Sequence, residues 1–302
     1  MYFHEQRLIN EIVPDEPDPF AANALQEGLG GQFGEMRTMM QYLFQSFNFR
    51  GPLTQYKDLI HGVAVEEISH VELIATTIAR LLDGAPGYQP TADGGVPGAG
   101  GATPLHTILH TGNIHHFLVG AQGALPVDAA GNPWSGSYVY NSGNLVLDLL
   151  YNLMLEATGR TQKCRIYEMS ANKTLRATVA YLIVRDEVHE KVYAKALESL
   201  GVDWGKTLPI PHFDASTYPE VKALYDKGLG EVQYTFRLDG SRLGEIFKGS
   251  SPFNDGTTLR TAERPEQGYS IPQAPERPEE FAPGLPPELV ELAQAAAKMA
   301  AS

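Results

Sequence analysis

The stretch VEEISHVELIATTI, residues 65–78, decides the fold. It lies in a run from about Leu53 to Leu82 whose apolar residues recur with a helical period. Advancing roughly 100° per residue places Ile60, Val71, Ile74 and Ile78 within about 40° of Glu67. Glu67 therefore sits in the middle of the apolar stripe. His70 falls on the same face, Glu66 on its margin and Glu72 on the far side. An unpaired charge in a buried stripe is costly, so a carboxylate there must be paired, protonated or bound to metal. A lone E-x-x-H is satisfied by a simple Glu–His pair, and the other helices have to decide.

They repeat the problem. A proline-free run from Ala21 to Asn48 reads as one long first helix. On it, Glu35 shares a face with Gly28, Gly31, Met39, Tyr42 and Ser46. A third helix, at about 143–169, places Glu156 below Leu145 and Leu149. A fourth, at about 173–200, aligns His189 with Leu182, Ala196 and Leu200, and Asp186 lies one turn before it. Each helix thus turns a Glu or His towards one centre. Glu35, Glu67, His70, Glu156 and His189, with Asp186 beside them, form the carboxylate–histidine set of dinuclear metal bundles. Oxygen and imidazole donors suit Mn or Fe, and no cysteine stands among them. Three carboxylates against two divalent ions leave charge for a bridging oxide, hydroxide or water.

Between the second and third helices, GAPGYQPTADGGVPGAGGATP (84–104) reads as a long crossover, with a short helix over Leu105–Val119. A long connection at that point is what a ferritin-like four-helix bundle requires, so the fold class is all-α. GSYVY (136–140) is the one segment that looks extended. Residues 1–201 form the bundle with its lead-in. Residues 202–302 are rich in proline and lack amphipathic periodicity, which predicts an extended tail without a core of its own.

Composition narrows the function. A formal net charge of −13 leaves no basic face for nucleic acid or anionic membrane. No stretch approaches the roughly 20 apolar residues of a membrane span. The single cysteine, Cys164, suits a reducing compartment and reads as a buried, inert thiol. A cytoplasmic location is expected. His106, His110, His115 and His116 read as surface or interface residues, and the glycines of 84–104 lack the Lys-Ser/Thr of a phosphate loop.

GGQFGEMRTMMQYLFQSFNFRG (30–51), VEEISHVELIATTI (65–78), SGNLVLDLLYNLMLEATGRTQKCRIYEM (142–169) and VRDEVHEKVYAKALESL (184–200) together resemble the manganese catalases. These are ferritin-like, non-heme enzymes, and the resemblance covers nearly the whole chain. It implies disproportionation of hydrogen peroxide to water and oxygen at two manganese ions per subunit. Glu35 and His70 would hold one ion, Glu156 and His189 the other, and Glu67 would bridge them. Tyr42 matches a tyrosine beside the centre, and its helical position suits a hydrogen bond to Glu35. The proton carrier would be bridging solvent, Glu35 or Asp186. A homo-hexamer with tails wrapped over neighbouring subunits is implied as well. Leu155 and Asp186 stand where some members have arginine and glutamate. Asp58 matches one acidic position of a structural calcium site, but Gly62 lacks the second carboxylate, so no complete calcium site is expected. Two other readings share the fold: a di-iron oxidase or iron-handling protein, in which Asp186 would be a direct ligand, and a coat-type protein without turnover, which would lack ligands.

Overall fold

The computed structural model describes residues 5–83, 113, 115–120, 122–238, 242–272, 295, 298 and 299. Five helices build the bundle: α1 (Pro19–Gly30), α2 (Glu35–Ser46), α3 (Thr54–Leu82), α4 (Leu145–Met169) and α5 (Lys173–Ser199). Their starts are written locally. Asp18, Asn144 and Asn172 cap α1, α4 and α5 by accepting hydrogen bonds from backbone N–H groups of the first turn. Pro19 opens α1, where its missing N–H costs nothing. α2 lies along α3 and α4 along α5, and α3 packs on α5 to join the pairs.

The expected first helix is two helices. Gly31–Gly34 interrupts it, for reasons of close approach. A Cβ on Gly30 would lie 2.2 Å from the Val127 carbonyl oxygen, and one on Gly34 would lie 2.7 Å from that of Leu29. Proline is absent, so the run looks continuous in sequence; at the end of α1 the Val127 backbone, about a hundred residues away, packs directly on Gly30, while Gly34 is crowded by the carbonyls of Gly28 and Leu29. The break places Glu35 in the first turn of α2, where the helix dipole favours a carboxylate.

The bundle has two apolar clusters. One gathers Leu25, Leu73, Ile74, Ile78, Val179 and Leu182, among others. The other gathers Leu59, Ile60, Val63, Leu149, Leu153 and Val192. On α3 the first begins at Leu73 and the second ends at Ala64, so Glu66, Glu67 and His70 form a polar layer between them.

Past the bundle, residues 202–272 do not behave as a core-less extension. α6 (Pro219–Asp226) packs on α5, and β1 (Val232–Tyr234) pairs in parallel with β2 (Arg260–Ala262). Val221, Leu243, Ile246 and Phe247 are buried in the same clusters as the bundle's side chains. This return covers the outer face of α5, which is buried on every side from Thr178 to Leu197. It borrows the bundle's core, which is why it shows no amphipathic period of its own. GSYVY is not a strand: Gly136–Tyr138 is a 3₁₀ turn capped by Ser135. The crossover at 84–104, His106 and His110 lie outside the described residues. The described part of the short helix over Leu105–Val119 is His115–Leu118.

Candidate metal centre

Five side chains from four helices meet in the polar layer, all at most 1% exposed. Donor atoms of Glu35, Glu67 and His70 lie within 4.8 Å of one another, and so do those of Glu67, Glu156 and His189. Glu67 belongs to both groups. Its Oε2 is 2.8 Å from His70 Nδ1 and its Oε1 is 2.9 Å from His189 Nδ1. The two imidazoles stack at 5.9 Å between ring centres. Glu35 Oε1 lies 3.8 Å from His70 Nδ1, and Glu156 Oε2 lies 3.7 Å from His189 Nδ1.

These residues fit a pair of cations. Glu35 Oε1, Glu67 Oε1 and His189 Nδ1 are buried and make no hydrogen bond, although the last two are in ionic contact. Their alignment suits donation to a third atom better than to each other. The charges agree. Burial alone would push both imidazolium groups down, but nearby carboxylates outweigh it. Glu67, Glu66 and Glu35 raise His70 to about 10, and Glu66 and Glu156 raise His189 well above 6.5. The site thus draws positive charge onto its imidazoles, and a divalent ion supplies such charge in place of the protons. Burial raises the Glu35 carboxyl to about 7 against the pull of Lys163.

Tyr42 corrects an expectation. Its hydroxyl donates to Glu156 Oε1 at 2.5 Å, across to α4, and no hydrogen bond joins it to Glu35. Glu35 and Tyr42 are seven residues apart, about 10 Å along a helix axis, so sharing a face does not bring them together. Thr38, one turn on, donates to Glu35 Oε2 instead, at 3.0 Å.

Asp186 is in neither donor group. Its Oδ2 accepts from Lys163 Nζ at 2.7 Å. The same ammonium lies 2.9 Å from Glu35 Oε1, as an ion pair without hydrogen-bond alignment.

Glu66 carries no assigned chemistry in the sequence, yet its carboxylate joins both histidines from behind. It lies 3.7 Å from His70 Nε2 and 3.3 Å from His189 Nε2. Each imidazole therefore presents Nδ1 to the donor groups and Nε2 towards Glu66, as an ionic contact without a hydrogen bond. Arg185 donates to Glu66 through Nε at 2.5 Å and Nη2 at 3.2 Å, and through Nη1 to the carbonyls of Leu229 and Val232. Burial alone would raise Glu66, but Arg185 and His189 hold it well below 4.5. The signal was its i, i+4 spacing to His70; the missing piece was the buried arginine on α5.

The remaining candidates separate cleanly. Cys164 is buried, and burial pushes its thiol up to about 11. His116 is buried against Gln26 Oε1, with burial pulling it down to about 4, while His115 is exposed. Glu187, His212 and Asp255 form a third close group, but Lys191 Nζ already lies 2.9 Å and 2.8 Å from its two carboxylates. Asp58, the partial calcium match, pairs with Arg237. Both line a groove of about 900 Å³ that contains none of the five donors.

A profile of the family described as manganese containing catalase matches residues 1–302. The chain is 39% identical over 246 residues to a manganese catalase of Bacillus subtilis strain 168, covering 82% of this chain and 83% of that one. It is 42% identical over 209 residues to another manganese catalase of Bacillus subtilis, covering 69% and 74%. Its fold is similar to the crystal structure of KatB, a manganese catalase from Anabaena. The TM-score is 0.56 at 24% identity, over 88% of this chain and all of that one.

Proposed function

The chain belongs to the manganese-containing catalases, and we propose that it converts two molecules of hydrogen peroxide to two of water and one of oxygen at a dimanganese centre held by Glu35, Glu67, His70, Glu156 and His189. The observation that carries this reading is Glu67, common to both donor groups with one oxygen towards each histidine. Glu67 would serve both ions, Glu35 with His70 would hold one, and Glu156 with His189 would hold the other. When bound, the pair, with an oxide, hydroxide or water ligand, would supply the two-electron redox chemistry that peroxide disproportionation needs.

The protein's residues do the rest. Tyr42 orients Glu156, Thr38 orients Glu35, and the Glu66 carboxylate sets negative charge behind both imidazoles. The apolar clusters on either side limit bulk water at the centre. Glu35 Oε1 and the unpartnered Asp186 Oδ1 are the buried carboxylate oxygens placed to hold a substrate proton. Among the described residues no helix is long and apolar enough to cross a membrane. We place the enzyme in the cytoplasm as a homo-hexamer, with the C-terminal residues reaching neighbouring subunits.

The test is elemental analysis of protein purified without added metal, combined with an oxygen-evolution assay in azide. Two manganese ions per chain, azide-tolerant oxygen release and no Soret band are expected. Iron in the site with no oxygen evolution would overturn the reading in favour of a di-iron oxidase. Glu67→Gln and His70→Ala should each lose metal and activity together; either variant retaining both refutes the ligand assignment.

A further inference from the structure

Lys163 is a buried cation beside a site made for cations. It is 3% exposed, on α4, two turns after Glu156. Its ammonium must have a counter-charge, and two carboxylates are within reach. It donates to Asp186 Oδ2 at 2.7 Å with hydrogen-bond geometry. To Glu35 Oε1 it stands at 2.9 Å without that geometry, so Glu35 Oε1 keeps its lone pair unshared. The two contacts are unequal in kind: Asp186 is engaged and Glu35 is only approached.

Asp186 is a buried carboxylate beside the centre that belongs to neither donor group. It is on the helix that carries His189, one turn earlier, and is fully buried. The charges of Glu35 and Glu156 both act on it. Its Oδ1 has no partner. Its other oxygen accepts from Lys163. Gly159 stands between Glu156 and Lys163 on α4, and a Cβ there would meet Asp186 Oδ2 and Lys163 Nζ at 3.5 Å, an ordinary contact.

We propose that Lys163 is a positioning residue that engages Asp186 as its own counter-ion and so limits the metal centre to three carboxylates and two imidazoles. The proposal rests on the ligand set given above. It makes Lys163 the determinant of donor number, which governs how strongly the centre holds its ions and which oxidation state it favours. Without the ammonium, Asp186 is a buried carboxyl that must either take up a proton or join the metal pair, and the proposal is that two divalent ions beside it draw it to the second.

Four proteins test this: wild type, Lys163→Met, Asp186→Asn and Lys163→Met/Asp186→Asn, each loaded with manganese. The readouts are metal content, the rate of metal loss to a chelator, and the manganese EPR spectrum. Asp186→Asn, nearly isosteric, should keep the wild-type spectrum because Asp186 is not a ligand. Lys163→Met should keep two ions per chain, lose them to chelator at least about tenfold more slowly, and show an altered spectrum. The double variant should return to the wild-type spectrum, because the new donor is gone. Lys163→Arg should restore it as well. A changed spectrum in Asp186→Asn alone, or a Lys163→Met effect that survives in the double variant, overturns the proposal. So does a Lys163→Met protein that folds poorly or sheds its metal. If the wild type instead carries another metal pair, the manganese reading fails, while the same four-way comparison of metal retention still judges Lys163.

Discussion

Arg185→Met should destabilise the metal-free protein by an amount that depends on pH in a definite direction. The guanidinium is fully buried, makes two hydrogen bonds to Glu66 and two to backbone carbonyls, and lies over the Tyr234 ring at 4.6 Å. Two orphaned carbonyls cost about 1 kcal/mol each at the low end, independent of pH. The charge contribution is bounded because Glu66 can take up a proton. At pH 7, holding it neutral against its ordinary 4.5 costs about 3.4 kcal/mol, at about 1.36 kcal/mol per unit. His189 and His70, at 3.3 Å and 3.7 Å, share the compensation and halve that figure to roughly 1.7 kcal/mol. The expected loss is therefore about 4 kcal/mol at pH 7.

The sign follows from the depressed Glu66 carboxyl. In the wild type its ionised form stabilises the fold above about pH 4.5, and that stability is lost as pH falls through the folded-state value. The variant lacks it, so the difference between the two proteins shrinks on acidification, to about 2.5 kcal/mol at pH 5. Urea unfolding midpoints at one fixed protein concentration, at pH 7 and pH 5, measure both numbers. A loss below about 1 kcal/mol at pH 7, or one that grows as pH falls, would refute the coupling of Arg185 to Glu66.

Gly30→Ala should destabilise by about 3 kcal/mol, because the new Cβ meets backbone atoms of Val127 at 2.2–2.8 Å. Helix propensity alone predicts the opposite sign, a gain of up to about 1 kcal/mol, so a stabilised variant in thermal unfolding would contradict the close packing. Tyr42→Phe removes the donor to Glu156 and should weaken metal retention by about ten- to hundredfold in a chelator competition. Unchanged retention would assign the hydroxyl no part in orienting that ligand.

The sequence by itself determined the bundle and the five polar side chains that face its centre. A helix repeats its direction every 3.6 residues, so a carboxylate amid isoleucines is visible without coordinates. Glu67 could be separated from Glu66 in this way, and the matching polar positions on the other helices turned one pair into a centre. What periodicity cannot supply is distance along the axis or the identity of the partner across the bundle. Tyr42 shares a face with Glu35 but reaches Glu156, because two helical turns separate the first pair and only a helix–helix contact separates the second. Lys163 and Asp186 lie 23 residues apart and meet only when α4 and α5 pack. Glu66 looked marginal because its counter-charge, Arg185, is on another helix and is itself held by carbonyls of the return after Gly201. That return was illegible for the same reason: its apolar residues complete a core belonging to the bundle, and an element without its own face has no period to read. Helical direction was local and written in the chain; burial, pairing and the close approach of Val127 to Gly30 at the end of α1 were decided by atoms distant in sequence.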